Sequence, residues 1–176
     1  KKTYLTNLFD ELYIKDIIER NHLEREDILN AILDYTASQI SSLTNPTNIA
    51  NALTSIRHEK INSGLVSSYL SHTMDAFLIS MARRYDIKGK TYFNYPNKYY
   101  FTDIGLRNAR HNYRQYDPGH IMENIIYNEL VKRGHSVDVG LVVERKNNEK
   151  KQREIDIVVN DGDRRIYIQS AYQIDT

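Results

Sequence analysis

The chain contains no cysteine and no tryptophan, and its 176 residues include only 7 glycines and 3 prolines. The absence of cysteine excludes disulfides and thiolate zinc sites. No apolar run reaches the length of a membrane span, and the N-terminal stretch lacks a signal-peptide core. We therefore expect a cytoplasmic protein without a membrane partner. The pattern G-x-x-x-x-G-K-[ST] is also missing, so this chain is not expected to bind ATP.

An excess of charge of one sign is likewise absent. The 24 lysines and arginines nearly balance the 23 aspartates and glutamates, which leaves a formal net charge of +1. A chain with this balance does not attract nucleic acid as a whole. Any surface that binds nucleic acid must therefore be a local concentration of basic side chains.

The first part of the sequence has helical spacing of its apolar residues. Helices are predicted over residues 4–20, over residues 22–41, from Pro46 onward and over residues 64–84. The stretch GKTYFNYPNKYYFTD then predicts two strands around a turn at Pro96-Asn97. Helices followed by a two-stranded hairpin are typical of a winged helix-turn-helix, with the helix 64–84 in the DNA groove.

Two groups of side chains in this predicted winged helix are candidates for nucleic-acid contacts. Hydroxyl and imidazole groups on the exposed helix face can hydrogen-bond to bases or phosphates, and lysines of the wing can pair with phosphates. The candidates are Ser67, Ser68, Ser71, His72, Lys88, Lys90 and Lys98. The alternative is that this unit serves as a packing unit or a protein contact, because a fold alone does not fix a function.

The second part of the sequence changes its pattern. Residues 105–120 are polar and are predicted to be a connector. A helix follows from Ile121, with Gly134 at its C-terminal cap. Strands are predicted in HSVDVGLVVE, EIDIVVND and RRIYIQSAYQ, with a charged loop at residues 145–153 that could contact phosphate or simply be solvated. The order α-β-β-β indicates a small sheet of antiparallel strands preceded by a helix.

Acidic side chains in this part could converge. Glu123 lies early in the helix, and Glu154 and Asp156 share one face of a strand because they are two residues apart. Carboxylates from neighbouring elements can hold Mg²⁺, which activates water for phosphodiester cleavage. The alternative is structural: Glu123 favours its helix N-terminus, and Asp156 pairs with Arg164 or Arg165.

The stretches MENIIYNELVKRG, REIDIVV and IYIQSAY together resemble the PD-(D/E)XK nuclease-like fold. With YLTNLFDELYIKDIIERN and KYYFTDIGLRNA, they more closely resemble the C-terminal region of bacterial and archaeal AAA+-type ATPases that carries the DUF4143 domain. The resemblance implies an α+β fragment of a longer protein, with ATP and Mg²⁺ in an upstream module. It implies a helical segment at 1–20, a winged-helix-like domain at 21–104, the connector at 105–120 and an incomplete restriction-endonuclease-like domain at 121–176.

Carried over onto this sequence, the nuclease motif is degenerate. Glu123 and Asp156 match the helix glutamate and the metal-binding aspartate, whereas Gln169 replaces the second carboxylate and Ala171 replaces the lysine. Loss of two such groups is expected to abolish most catalysis. An Mg²⁺-dependent nuclease remains the alternative if a lysine has moved, and the nearest basic residues are Lys150, Lys151 and Arg153.

The function predicted from the sequence is therefore a non-catalytic region of an AAA+-like ATPase. It would bind double-stranded DNA or a partner protein and contact its own ATPase module, and an open sheet edge would allow a homo-oligomer. No cofactor is expected in this chain, and Mg²⁺ is expected only under the nuclease alternative. The third reading is a pure protein-interaction module, which would not bind DNA even at low salt.

Overall fold

The computed structural model describes residues 2–114, 116–146 and 149–173. It confirms a mixed α+β protein, built as two compact units. The first unit comprises Lys1–Ile40, Thr44–Ser80 and Phe101–Tyr116, and the second comprises Ser41–Leu43, Met81–Tyr100 and Asp117–Thr176. No helix in the described ranges is long and apolar enough to cross a membrane.

The helices are α1 (Lys2–Leu8), a π-helix (Phe9–Ile14), α2 (Lys15–Asn21), α3 (Glu26–Ser38), α4 (Pro46–Arg57), α5 (Ser63–Asp75), α6 (Ile104–Arg110) and α7 (Pro118–Lys132). The strands are β1 (Leu43–Thr44), β2 (Ile79–Asp86), β3 (Thr91–Phe101), β4 (Ser136–Lys146), β5 (Glu149–Asp161) and β6 (Arg164–Ile168).

Local sequence signals explain where several helices begin. The Asn45 side chain accepts a hydrogen bond from the Asn48 amide at 2.7 Å, and Pro46 occupies the first turn of α4. Asn62 caps α5 in the same manner, by accepting from the Gly64 amide at 2.6 Å. Both arrangements follow the ordinary rules of N-capping and of proline at the first helical position.

The helix predicted over residues 64–84 is wrong in its second half. α5 ends at Asp75, and Phe77 adopts a φ of 56°, which a helix interior does not permit. The following residues form β2, which pairs in parallel with β4 through Arg84↔Val139 and its neighbours. Pairing with a strand distant in sequence therefore overrides the apolar spacing that continued the helical pattern.

The predicted turn at Pro96-Asn97 is also wrong, because β3 runs through both residues as one strand. The hairpin instead reverses after Asp86, whose side chain accepts hydrogen bonds from the amides of Lys88 and Gly89 at 3.0 Å each. Proline gives β3 no amide to donate. The Asn97 side chain compensates by donating to the Asn94 carbonyl at 2.8 Å and accepting from the Arg84 amide at 3.4 Å.

Within the described residues, six strands form one sheet in the order β1-β3-β2-β4-β5-β6. β4, β5 and β6 pair antiparallel, as the α-β-β-β order predicts. The register shifts between Asp138 and Gly140, and Gly140 lies so close to β5 that a Cβ atom would stand 2.7 Å from Val158 Cγ2. The core of the second unit contains Ala82, Tyr100, Tyr127, Val137, Val139, Ile157 and Val159.

Two segments predicted as loops contain regular structure. The connector at residues 105–120 begins within α6, where Asp103 caps the helix and Arg107 is buried, with its Nε donating to the Ala37 carbonyl at 2.9 Å. The charged loop at residues 145–153 is mostly strand, because β4 extends to Lys146 and β5 begins at Glu149; residues 147 and 148 lie outside the described ranges. Polar sequence alone therefore did not identify loops.

Candidate functional site

A buried lysine lies among three carboxylates in the second unit. Lys98 Nζ donates to Glu123 Oε1 at 2.9 Å, to Glu154 Oε1 at 2.7 Å and contacts Asp156 Oδ1 at 3.4 Å. The lysine side chain is 3% exposed. We call Lys98, Glu123, Glu154 and Asp156 the Lys98 cluster. The helix α7 supplies Glu123, the strand β5 supplies the other two acids, and β3 supplies the lysine.

Further donors surround the carboxylates of the Lys98 cluster. Tyr100, two residues beyond Lys98 on β3, donates its hydroxyl to Glu123 Oε1 at 2.7 Å. Gln169 Nε2 donates to Asp156 Oδ2 at 2.6 Å, and the Ser170 amide donates to the same oxygen at 2.9 Å. Buried polar groups are stable only when they are paired in this way.

Tyr100 is held by packing as well as by its hydrogen bond. Its ring stacks on that of Tyr127 with centroids 3.9 Å apart and an interplanar angle of 11°. Both rings belong to the core of the second unit. The hydroxyl that contacts Glu123 is therefore fixed by the same apolar contacts that stabilise the sheet.

The protonation states follow from burial and from the ammonium. Burial disfavours the Lys98 ammonium, but the charge of Glu123 and hydrogen bonds to Glu154 and Glu123 outweigh it and raise the pKa of Lys98. Burial raises the pKa of Glu123, and Lys98 and Tyr100 offset this only in part. Burial and the nearby charge of Glu123 also raise the pKa of Tyr100, so its hydroxyl stays protonated and donates.

The structure therefore brings together Glu123 and Asp156, as the sequence predicted, and adds Glu154. Gln169 is part of the same group, whereas Ala171 is exposed beyond the end of β6 and supplies no polar side-chain group. The structural alternative for Asp156 named the wrong partners: its described contacts are Lys98, Gln169 and Ser170, and neither arginine of β6 is among them. Glu123 lies in the second turn of α7 and bonds to side chains, so it does not serve the helix start.

Lys98 itself corrects a prediction. The sequence predicts a wing lysine that contacts nucleic acid, but β3 continues through the expected turn and Lys98 is buried. The basic residues proposed as replacements for the nuclease lysine are not part of this buried group. Lys151 and Arg153 are exposed on β5, and the side chain of Lys150 lies outside the described parts. The sequence gives no local signal for this burial, because acids that pair with Lys98 lie 25 and 58 positions away.

The cluster does not fit a magnesium ion. Mg²⁺ needs several oxygen ligands at close range, and the point shared by the three carboxylates is occupied by the Lys98 ammonium. Within the described ranges, no group of three or more histidine, aspartate or glutamate side chains is arranged to hold a metal. The chemistry that the cluster offers is charge compensation of buried acids by an internal cation.

The remaining nucleic-acid candidates lie at the surface or close to it. Ser67, Ser68 and Ser71 are exposed on α5, and Ser68 Oγ lies 3.2 Å from Nε2 of the half-buried His72. Lys88 and Lys90 are exposed in the turn between β2 and β3. These residues are sterically available to a ligand, in contrast to Lys98.

The chain belongs to the family described as a domain of unknown function, DUF8612, whose model matches residues 1–117. An uncharacterized protein of Haemophilus influenzae is 34% identical over 174 residues, covering 99% of this chain and 41% of that protein. An uncharacterized protein of Methanocaldococcus jannaschii is 29% identical over 179 residues, covering 99% of this chain and 37% of that protein. The chain thus spans about two fifths of the length of these curated relatives. No solved structure gives a significant match.

These findings correct the resemblance drawn from sequence motifs. The matching family is DUF8612 and not the DUF4143-carrying region of AAA+-like ATPases. The descriptions of both relatives name neither an ATPase nor a nuclease. The assignments that rested on that resemblance, an ATPase C-terminal region and a nuclease family, are therefore wrong.

Proposed function

We propose that this chain is a non-catalytic module that binds double-stranded nucleic acid in the cytoplasm. The observation that carries the proposal is the hairpin of β2 and β3. Between residues 83 and 90 it has four basic side chains, Arg83, Arg84, Lys88 and Lys90, and one acid, Asp86. Because the whole chain is nearly neutral, this local excess is the kind of basic surface that phosphate binding requires.

Hydrogen bonds hold the turn of the hairpin that carries Lys88 and Lys90. Asp86 Oδ1 accepts two backbone amides, and the Lys90 amide donates to the Asp86 carbonyl at 2.8 Å. The Arg83 guanidinium lies 4.6 Å from the centroid of the Tyr92 ring. No ion pair among the described residues neutralises Lys88 or Lys90. Because these hydrogen bonds already order the turn, less conformational entropy is lost when the turn binds a ligand.

The order of elements supports a winged helix as the architecture of this module. The sequence runs α3, β1, α4, α5, β2, β3, and β1 neighbours β3 in the sheet. By its place in this order α5 corresponds to a recognition helix of the first unit, and the hairpin corresponds to a wing carried by the second unit. The lysines of the hairpin supply the salt-dependent part of the affinity, and the exposed Ser67, Ser68 and Ser71 of α5 are a separate group that can form hydrogen bonds to bases or phosphates.

The Lys98 cluster supports a role without catalysis. Its carboxylates are already paired with an internal ammonium, a tyrosine hydroxyl and an amide. A group of acids whose charges are compensated inside the fold has little need for an external cation. We therefore assign recognition to the surface of the chain and structural support to this cluster.

A binding titration tests the proposal. Fluorescence anisotropy of a labelled 20-base-pair duplex is measured at about 50 mM salt with the wild type and with Lys88→Ala/Lys90→Ala. A matched control removes two exposed lysines elsewhere, Lys15→Ala/Lys132→Ala. We expect the hairpin variant to weaken binding by at least about ten-fold and the control to change it by less than about three-fold, since only contacting lysines release counterions.

The same samples separate the competing functions. No binding by the wild type at low salt would leave a protein-interaction module and would refute the proposal. Incubation with supercoiled plasmid and Mg²⁺ or Mn²⁺ checks for catalysis: nicking by the wild type that is lost in Asp156→Ala would contradict the non-catalytic assignment. Equal affinities of the hairpin variant and the lysine control would show that the hairpin is not the binding surface.

A further inference from the structure

A polar cavity of about 460 Å³ lies beside the hairpin within the second unit. Leu141 and Val143 of β4 provide its apolar lining, together with Phe93 of β3. Arg84 of β2, Lys88 of the turn and Gln152 of β5 line it with donors, and Asp86 adds one carboxylate. Its volume falls within the range of small-molecule sites, about 300–1,000 Å³.

The lining of this cavity carries two cationic side chains and one carboxylate, so positive charge is in excess. Arg84 Nη2 donates to Gln152 Oε1 at 3.2 Å, but Arg84 Nε is buried and has no hydrogen-bond acceptor among the described residues. This contact occupies Oε1 of Gln152. The Nε2 atom of the same side chain donates to no described group. No ion pair of the Lys88 ammonium is found in the described ranges, and Asp86 Oδ1 accepts from two backbone amides of the turn.

We propose that this cavity binds a terminal phosphate joined to a flat ring, as found in a nucleoside monophosphate or at the 5′ end of a nucleic-acid strand. The buried Arg84 Nε without an acceptor among the described residues and the net positive lining match the oxygens of a phosphate monoester, and arginine binds phosphate with its planar fork. The half-exposed ring of Phe93 offers a face on which a base can stack. This binding goes beyond the proposed duplex contact and does not depend on it.

Calorimetric titration of the whole chain with adenosine 5′-monophosphate tests this inference. We expect a dissociation constant of about 0.1–1 mM for the wild type, as suits an open site with three donors. Adenosine without phosphate is expected to bind at least ten-fold more weakly, because the charged donors then have no acceptor. Equal binding of adenosine would show an apolar site and would overturn the proposal, as would no binding of the monophosphate at 10 mM.

Variants locate the binding. Arg84→Met and, independently, the exposed Gln152→Ala are expected to weaken monophosphate binding by roughly ten-fold and three-fold, respectively. Lys151→Ala is the matched control, because its side chain points to the opposite face of β5 from Gln152. Unchanged affinity in both Arg84→Met and Gln152→Ala, with circular dichroism like that of the wild type, would place the ligand elsewhere and refute the site.

Two further arms identify the source of the phosphate and keep the two proposals apart. A 5′-phosphorylated hexanucleotide is compared with its 5′-hydroxyl form; preference for the phosphorylated strand assigns the site to strand ends, and equal weak binding of both assigns it to the free nucleotide. Lys90→Ala removes a hairpin charge outside the cavity lining. It is expected to weaken duplex binding and leave monophosphate binding unchanged, so either proposal can fail while the other holds.

Discussion

Replacement of Lys98 by methionine removes the internal cation and leaves its acids in place. The lysine lies within 3.4 Å of an oxygen from each of Glu123, Glu154 and Asp156, and the side chains of Glu123 and Asp156 are 7% and 12% exposed. Removal of one partner of a buried ion pair typically lowers the free energy of unfolding by about 3–5 kcal/mol. Because Glu154 is one-third exposed and remains partly solvated, we expect a loss within this range and not beyond it.

The assay is urea denaturation of Lys98→Met at pH 7, followed by circular dichroism. Lys132→Met, on the exposed surface of α7, is the matched control and should change the free energy of unfolding by less than about 0.5 kcal/mol. In the double variant Lys98→Met/Glu123→Gln one uncompensated charge is absent, so at least about 1 kcal/mol of the loss should be recovered. A loss below about 1 kcal/mol in Lys98→Met would refute the account of the cluster.

The variant should also respond to pH in a defined direction. Burial already raises the pKa of Glu123 above that of the unfolded chain, and loss of the ammonium raises it further. A carboxyl group with a raised folded-state pKa stabilises the fold below its unfolded pKa, and that contribution is lost as the pH rises through the folded pKa. Lys98→Met should therefore recover stability relative to the wild type as the pH falls from 7 towards 5, whereas a constant difference would contradict this explanation.

Three other substitutions test separate parts of the structure by the same denaturation assay. Gln169→Ala removes the donor 2.6 Å from Asp156 and should cost about 1–2 kcal/mol; no loss would mean that the contact is dispensable. Gly140→Ala forces a Cβ to within 2.7 Å of Val158 and should cost about 1–3 kcal/mol, whereas a neutral result would show that β5 yields without strain. Asn62→Ala deletes the cap of α5 and should cost about 1 kcal/mol, and an unchanged midpoint would exclude the cap as a source of stability.

Local signals in the sequence were sufficient for several elements. Proline and asparagine at the start of α4, and Asn62 before α5, determine helix starts through contacts within a few residues. The alternation in residues 154–159 predicts a strand for the same reason. Glu154 and Asp156 were correctly placed on one face, because the two-residue period of a strand is a local property.

The errors concern contacts between residues far apart in sequence. β2 has apolar residues that also continue the spacing of α5, and only its parallel pairing with β4 selects the strand. The Lys98 cluster joins residues separated by 25 and 58 positions, so its lysine had no local signature among the acids it compensates. The resemblance to the DUF4143-carrying region rested on short sequence motifs. The match of residues 1–117 to the DUF8612 model shows a different family.

The salt dependence of duplex binding tests whether the hairpin binds the phosphates of nucleic acid. The logarithm of the association constant is measured against the logarithm of salt concentration for the wild type and for Lys88→Ala/Lys90→Ala. Each lysine that contacts a phosphate contributes about 0.9 to the slope, so the slope of the double variant should be smaller by about 2. Parallel lines for the two proteins, or a wild type whose binding does not depend on salt, would contradict the account.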